Sequence, residues 1–295
     1  MEDRADLPEE KPVRSRHFGL SVREYIRVTI IAIILVIFLR TFVLEAYRIP
    51  TSSMENTLLP GDLILVEKLS YGHLNEFEIP FTSIKFPVFN LPDFSQPERN
   101  DVLVFQYPGD RDEYIPSRQE NYIKRIAALP GDIVVIRKDT VYINGRPLET
   151  PEGVFYKREK KEWRDDRIFP PGKEWSSLSY GPLFVPKSGD TLHLNPFTID
   201  EWRVFINREL RRPAVSVEGG KVHIDGYETE EYIVKKNYYF VLGDNRDDSM
   251  DSRYWGFVPE DHIIGRAFMI YWSLDPSAFS IMDALRSDRI LKKVH

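Results

Sequence analysis

The residues best suited to chemistry lie in three short blocks of the 295-residue chain. The first block, Ile49–Gly72, has two adjacent serines, Ser52 and Ser53, in a loop bounded by prolines. The second block, Asn121–Val134, carries Lys124. A serine needs a neighbouring base to act as a nucleophile, and a lysine with an ordinary pKa of about 10.4 is protonated at neutral pH. The pair can therefore carry acyl transfer only if the lysine loses its proton.

A β-strand through the second block could bury Lys124 and so favour loss of its proton. Alternate side chains of a strand share a face, so Lys124 points the same way as Tyr122 and Ile126, while Arg125 points the other way. Burial against apolar neighbours lowers a lysine pKa, and a shift of about three units costs about 4 kcal/mol. For this lysine taken alone, the simpler interpretation is a side chain that snorkels to water.

The third block, Val241–Ala267, is a loop dense in oxygen donors. These donors could bind calcium: Asp244, Asn245, Asp247, Asp248 and Asp251. Their spacing departs from that of the helix-flanked calcium loop, which needs Gly at the sixth position and Glu at the twelfth. We therefore predict no metal and no cofactor. The chain has no cysteine, which excludes thiol nucleophiles and Cys-bound metals.

The histidines and the net charge limit the classes of function that the sequence supports. A Ser-His-Asp triad would need one of six histidines, and only His262 falls inside a block. The formal net charge is −6 and no basic cluster appears, so the sequence gives no reason to expect nucleic acid as a partner.

An apolar segment at 28–44, interrupted only by Arg40, precedes all three blocks. It lies at the short end of the lengths that span a bilayer, and a buried core helix or a cleaved signal peptide are the alternatives. Only Arg48 is basic between Glu45 and Gly61, whereas residues 11–27 contain five lysines and arginines: Lys11, Arg14, Arg16, Arg23 and Arg27. We therefore expect a single-pass anchor in the cytoplasmic (inner) membrane, with a cytoplasmic N-terminus and the remainder on the outer, periplasmic side.

The remainder is predicted to be mainly β. Runs of β-branched and aromatic residues follow turn signals and predict strands at Asp62–Lys68, Asp101–Tyr107, Asn121–Ala128, Asp132–Arg137, Tyr238–Leu242 and Arg266–Trp272. Asn144-Gly145 is typical of a two-residue hairpin. A charged run at 157–166 and helical spacing in Phe197–Leu210 indicate an inserted smaller domain.

The predicted division is an N-terminal segment (1–27), an anchor (28–44), a core in two parts (45–146 and 236–273), an inserted domain (147–235) and a C-terminal tail (274–295).

The three blocks, in this order after an N-terminal apolar segment, resemble the signature regions of bacterial type I signal peptidases, the leader peptidase family. The resemblance implies a signal-peptidase-like β-fold and a membrane-anchored serine endopeptidase with a Ser/Lys dyad and an acyl-enzyme intermediate. It also implies that the partners are the lipid bilayer and exported preproteins, whose signal peptides carry small residues at the first and third positions before the cleaved bond.

The resemblance assigns roles to residues of this chain. Ser53 matches the nucleophile, Lys124 the general base, and Thr51 a hydroxyl that forms the oxyanion hole with the Ser53 N–H. Ser249 matches a serine that hydrogen-bonds the lysine. The remaining matches are an ion pair beneath the site, Asp251 and Arg253, and three further supporting positions, Gly243, Asp244 and Arg125. Shallow apolar substrate pockets are implied at Ile49, Met54, Leu58, Tyr122 and Ile123.

Three positions depart from the family pattern. Asn56 stands where the family usually has Pro, Ser52 where many members have Gly, and Asn100 where Gly tends to precede Asp. Two other functions stay open from the residues: a membrane-tethered β-domain that scaffolds partners, and a self-cleaving repressor-type protease that also uses Ser and Lys.

Overall fold

The computed structural model describes residues 21–68, 71, 76–78, 85–87, 95–138, 140–156 and 167–295. Outside the described residues lie the basic residues at 11, 14 and 16, positions 69, 70 and 72 of the first block, and the charged run at 157–166. The chain forms two compact units, Met1–Leu39 and Arg40–His295.

The first unit contains the helix α1, Val22–Phe38. It begins with a capping box, in which the Glu24 N–H donates to Ser21 Oγ and the Ser21 N–H donates to the Glu24 carboxylate. Beyond Arg27 its large apolar side chains are exposed on all faces. A π-helical turn, Leu39–Val43, follows. No helix within the described ranges is both long and apolar enough to cross a membrane. The predicted anchor, 28–44, covers most of α1, this turn and the first residue of the next strand.

The second unit is mainly β, as predicted. Its described strands are β1 Leu44–Arg48, β2 Asp62–Glu67, β3 Glu76–Glu78, β4 Lys85–Pro87, β5 Val102–Gln106, β6 Asn121–Ala128, β7 Ile133–Arg137, β8 Thr140–Ile143, β9 Arg146–Pro147, β10 Ser179–Phe184, β11 Thr191–His193, β12 Val215–Glu218, β13 Lys221–Ile224, β14 Tyr227–Glu228, β15 Glu231–Ile233, β16 Tyr238–Leu242, β17 Val258–Pro259, β18 Ile263–Ser273 and β19 Lys292–Lys293. Its described helices are α2 Ile199–Leu210, α3 Ser252–Trp255 and α4 Ile281–Ala284, with 3₁₀ turns at Glu260–His262 and Ser287–Arg289.

The main sheet has the strand order β1-β2-β18-β5-β6-β16-β17, and β19 also pairs with β18. All these pairs are antiparallel. The other sheets have the orders β10-β7-β8-β9, β12-β13-β14, β11-β15 and β3-β4. Every strand predicted from the sequence is present within a few residues, and the Asn144-Gly145 hairpin joins β8 to β9 with both residues at positive φ.

Turns of one kind lead into several strands. In each, a residue with positive φ precedes an aspartate whose carboxylate accepts the backbone N–H three residues earlier. Gly61, Gly131 and Gly189 occupy the positive-φ position in three of these turns, and Asn100 occupies it in the fourth with φ +72°. Asparagine is the residue after glycine that best tolerates this conformation. The departure at Asn100 therefore preserves the turn before β5.

The main sheet is buried on both faces, which explains why β5 is almost uniformly apolar. Val102 and Val104 enter one hydrophobic cluster, and Leu103 and Phe105 enter another. In β6, Tyr122 packs on the cluster that holds Ile126, and Ile123 packs on the opposite cluster. β6 is therefore a central strand whose side chains have fixed positions on both sides.

A third cluster joins the main sheet to elements within 147–235. β10 pairs with β7, and the Phe205 ring of α2 lies 4.7 Å from that of Tyr238 and 6.0 Å from that of Phe257. The boundaries of an inserted domain at 147 and 235 stay a prediction.

Candidate active site

The loop that carries Ser53 is a tight helical turn held down by apolar side chains. The Glu55 N–H donates to the Ser52 carbonyl, and the Leu58 N–H donates to the Met54 carbonyl. Met54 and Leu58 are fully buried in the cluster that contains Ile64 and Val66 of β2. Ser53, at 9% exposure, is therefore presented from a fixed backbone.

Lys124 reaches this serine from β6. Its Nζ lies 2.7 Å from Ser53 Oγ and 2.9 Å from the Ile123 carbonyl oxygen, to which it donates. The residue is 4% exposed, so the side chain does not snorkel to water. The structure thus brings together the two residues that the sequence predicts as nucleophile and base.

Burial controls the charge of this lysine. Loss of hydration lowers the pKa of Lys124 to about 8, and the negative charges of Asp251 and Asp244 oppose that effect. The Tyr122 ring lies 5.6 Å from Nζ and also favours the protonated form. Desolvation is the largest effect, so a useful fraction of the lysine is neutral near pH 8.

The two predicted donors of the oxyanion hole, the Ser53 N–H and the Thr51 hydroxyl, have different surroundings. Within the described part of the chain, the Ser53 N–H donates to no other group and is available to an incoming oxygen. Thr51, its predicted companion, is exposed, and its hydroxyl makes no hydrogen bond to any described residue. The role of Thr51 stays a prediction.

The third block packs directly on the loop 51–58, which we call the nucleophile loop after the proposed role of Ser53. The Asn245 N–H donates to the Ser53 carbonyl, and Asn245 Nδ2 donates to the Ser52 carbonyl and the Glu55 carboxylate. A Cβ added at Gly243 would lie 2.5 Å from the Ser53 carbonyl oxygen and 2.2 Å from Ser249 Oγ. Gly243 is therefore required for close approach of the two loops.

A buried ion pair supports the third block. Asp251 and Arg253 are bidentate at 2.8 Å for both contacts and are nearly inaccessible to water. Burial alone raises the pKa of Asp251, but Arg253 and the Gly243 N–H lower it below its ordinary value. Arg253 also donates to the Arg246 carbonyl, so the pair holds the loop closed.

A second buried ion pair lies next to the base in sequence. Arg125 and Asp244 are bidentate at 2.8 and 2.7 Å, again nearly inaccessible. Arg125 also donates to the Asn100 carbonyl at 2.6 Å, and the Thr57 hydroxyl donates to the Asp244 carboxylate. The predicted supporting residues Arg125 and Asp244 therefore tie β6, the third block and the nucleophile loop together.

The predicted hydrogen bond from Ser249 to Lys124 is not formed. Ser249 Oγ is buried, and among the described residues no hydrogen bond joins it to Lys124. Its hydroxyl lies against Gly243, while Lys124 Nζ is engaged by Ser53 and the Ile123 carbonyl. Sequence position alone could not show how the lysine distributes its donors.

The predicted substrate-binding residues differ in their exposure to solvent. Ile49, Met54 and Leu58 are buried at 3% exposure or less and form the floor under the loop. Tyr122 and Ile123 are only partly buried, which leaves surface for a ligand. Pocket formation by these five residues stays a prediction.

Two of the family departures have visible local effects. Asn56 has φ +74°, which proline cannot adopt, so this loop differs from one built on Pro at that position. Ser52 Oγ donates to the Asp248 carboxylate at 2.8 Å, a contact that glycine could not make.

The residues that suggested two alternatives, a histidine base and a calcium loop, have other contacts in the structure. His262 Nδ1 lies 3.2 Å from the Gln106 carbonyl, and Ser53 is not among its described hydrogen-bond partners. Three aspartates of the suggested calcium loop, Asp244, Asp248 and Asp251, contact guanidinium or hydroxyl groups. No group of three or more His, Asp or Glu side chains in the described residues could hold a metal ion.

Several site contacts come from residues to which the sequence analysis gave no role beside Ser53. Thr57, Asn245 and Arg289 hold the nucleophile loop, the last by donating from Nη2 to the Thr57 carbonyl at 3.0 Å. Gly153 packs against Thr57 from the middle of the chain. These contacts join residues far apart in sequence, and no local spacing could indicate them.

Comparisons with known proteins point to one family. The profile of the family described as "Signal peptidase, peptidase S26" matches residues 22–272. A signal peptidase I of Buchnera aphidicola subsp. Acyrthosiphon pisum is 33% identical over 281 residues, covering 88% of this chain and 78% of that protein. A signal peptidase I of Aquifex aeolicus is 32% identical over 268 residues, covering 85% of each.

A solved signal peptidase I from Enterococcus faecalis covers 58% of this chain and 97% of its own, with 22% identity and a TM-score of 0.27, too low to compare the folds. The family profile spans most of the chain, and the two relatives match it over most of their own length. The chain therefore belongs to the signal peptidase family, peptidase S26.

Proposed function

We propose that the chain is a serine endopeptidase that removes N-terminal signal peptides from exported preproteins, with Ser53 as nucleophile and Lys124 as general base. The observation that carries this assignment is the 2.7 Å contact between Ser53 Oγ and a buried Lys124 Nζ whose pKa is lowered to about 8. A lysine in that state can accept the serine proton near neutral pH.

The reaction proceeds by acyl transfer. Neutral Lys124 takes the proton of Ser53 as Oγ attacks the carbonyl carbon before the cleaved bond, and a tetrahedral intermediate forms. The lysine then protonates the departing amine, leaving the signal peptide as an ester on Ser53. A water molecule deprotonated by the same lysine hydrolyses this ester and frees both enzyme and signal peptide.

Negative charge on the substrate oxygen needs donors already in place. The Ser53 N–H is available for this purpose, and the Thr51 hydroxyl is the proposed second donor. Thr51 is exposed, so its hydroxyl is accessible to a substrate oxygen bound at Ser53.

The substrate is proposed to bind as an added strand. β16 pairs with β6 at Arg125, Ile126 and Ala128, so the preceding half of β6 is paired only with β5 among the described strands. This free edge carries Tyr122 and Ile123 beside the base. Main-chain hydrogen bonds along such an edge give affinity, and alternate side chains meet shallow surfaces that accept small residues and exclude bulky ones.

Membrane attachment is proposed through the segment 28–44. The large apolar side chains of α1 are exposed, for example Ile34 at 60% and Val36 at 62%. Contiguous apolar surface of this kind marks contact with lipid or protein. The excess of basic residues before the segment gives a cytoplasmic N-terminus and places the catalytic residues on the outer side of the inner membrane. The division into a two-part core and an inserted domain at 147–235 is proposed on the sequence pattern.

Cleavage in trans tests the assignment and separates it from the alternatives. Purified protein in detergent is incubated with a synthetic signal-peptide substrate, alongside Ser53→Ala and the matched neighbour Ser52→Ala. We expect wild-type cleavage at one bond, complete loss in Ser53→Ala and a mild effect in Ser52→Ala. A scaffold would cleave nothing, and a repressor-type protease would cut only itself. Activity that survives Ser53→Ala but not Ser52→Ala would shift the nucleophile by one residue.

A further inference from the structure

Thr57 lies one helical turn beyond Ser53 in the nucleophile loop, and several contacts fix it. Its N–H donates to the Met54 carbonyl at 3.1 Å. Its own carbonyl accepts from Arg289, which is also paired with the buried Asp62. Because the backbone between Ser53 and Thr57 is a closed turn, a displacement of Thr57 is passed to the serine.

The Thr57 hydroxyl attaches the loop to the catalytic strand. It donates to the carboxylate of Asp244, which is the bidentate partner of Arg125. Arg125 directly follows Lys124 in β6. The nucleophile loop is therefore attached to two consecutive residues of one strand, at Ser53 through Lys124 and at Thr57 through the Arg125–Asp244 ion pair.

The other side of the hydroxyl is closed by the chain after β9. A Cβ added at Gly153 would lie 1.9 Å from Thr57 Oγ1, so the glycine backbone packs directly on the hydroxyl. Two residues later, the Phe155 N–H donates to the Asp244 carbonyl at 3.0 Å. The segment 153–155 thus lies along the third block and holds Thr57 against Asp244.

We propose that Thr57 is a positioning residue for the peptidase reaction. Its hydroxyl, clamped between Gly153 and Asp244, fixes the loop so that Ser53 Oγ stays within reach of Lys124 Nζ. This inference rests on the proposed function of Ser53 and Lys124. It also gives part of the segment 147–235 a role at the active site, through the backbone of Gly153.

We call the packing of the Thr57 hydroxyl between Gly153 and Asp244 the clamp, and matched threonine variants test it. Thr57→Val keeps the shape of the side chain and removes the hydroxyl, while Thr57→Ser keeps the hydroxyl. A nucleophile misplaced by about 1 Å loses on the order of 100-fold in rate, so we expect kcat of Thr57→Val to fall about 10- to 100-fold. We expect KM to change less than about threefold, and Thr57→Ser to return kcat to within about threefold of wild type. Thr191→Val, at an exposed threonine of β11, controls for the substitution itself.

Gly153→Ala reaches the same hydroxyl from the opposite side. We expect it to lower kcat in the wild-type background and to add little in a Thr57→Ala background, because both changes act through one contact. Losses that multiply in the double variant would overturn the clamp. Equal kcat in Thr57→Val and wild type would overturn it as well.

Hydrogen exchange of the 51–58 peptide gives a readout independent of catalysis. We expect faster exchange in Thr57→Val than in wild type and Thr57→Ser, at similar melting temperatures. If wild type fails to cleave signal peptides but this difference appears, the proposed function is wrong and the clamp stands. Unchanged exchange in Thr57→Val would overturn the clamp, whatever the substrate.

Discussion

The pH dependence of cleavage follows from the burial of Lys124. Its pKa falls from an ordinary 10.5 to about 8, which corresponds to about 3 kcal/mol of lost hydration that nearby carboxylates do not restore. With a pKa near 8, about a tenth of the lysine is neutral at pH 7 and about nine tenths at pH 9. We therefore expect kcat/KM to rise about tenfold between pH 7 and pH 9 and then to level off.

The assay is kcat/KM for a signal-peptide substrate from pH 6 to pH 10 at constant ionic strength, because this quantity reports the free enzyme. NMR of Ser53→Ala with labelled lysines should show one lysine, absent in Lys124→Met, that titrates near 8. A rate that is flat down to pH 6, or that still rises tenfold per unit at pH 10, would refute this account of the base.

The same shift has a stability consequence with a defined sign. Between about pH 8 and 10.5 the unfolded chain holds the Lys124 proton and the native state does not, so stability rises with pH across this window. Below pH 8 the native state bears the full cost. Lys124→Met, which removes the charge, should therefore raise the free energy of unfolding at pH 7 by up to about 3 kcal/mol and lose this advantage by pH 10.5.

Three substitutions probe other parts of the site. Lys124→Arg should be inactive, because a guanidinium cannot lose its proton in a protein; cleavage above the Ser53→Ala background would exclude the dyad. Thr51→Ala should lower kcat by about one to three orders of magnitude with little change in KM, and an unchanged kcat would leave the oxyanion hole to backbone groups. Gly243→Ala should impair cleavage because its Cβ would lie 2.5 Å from the Ser53 carbonyl oxygen, whereas Gly145→Ala, with nothing within 4 Å, should affect only stability.

Strands bounded by clear turn signals were predictable from the sequence. β6 and β16 match their predicted limits because apolar and β-branched runs end at turns whose chemistry is local. β18 begins three residues earlier than predicted, at Ile263. Gly265 looks like a strand breaker in the sequence, but a Cβ there would lie 2.2 Å from the Glu67 carbonyl oxygen. The glycine is needed inside the strand, where two backbones approach closely.

The site residues whose type determines their chemistry could be predicted from the sequence. The contacts that depend on how distant parts of the chain pack together could not. A serine and a lysine in the right blocks indicate a dyad, and the structure brings Ser53 and Lys124 within 2.7 Å. The missing Ser249–Lys124 hydrogen bond and the contacts of Thr57 depend on how separate loops meet. The Thr57–Asp244 contact connects residues 187 positions apart, a distance at which one sequence carries no pairing information.

The two buried ion pairs limit the effect of their carboxylates on the pKa of Lys124, the proposed base. A neutral lysine needs apolar surroundings, yet Asp251 and Asp244 lie close enough to raise its pKa. Asp251 is held in a bidentate pair with Arg253, and Asp244 in one with Arg125. Each guanidinium charge offsets much of the effect that its carboxylate has on the pKa of the lysine. Desolvation consequently remains the largest effect on the base. The aspartates can then order the loop around Gly243 and Thr57 while the pKa of Lys124 stays near 8.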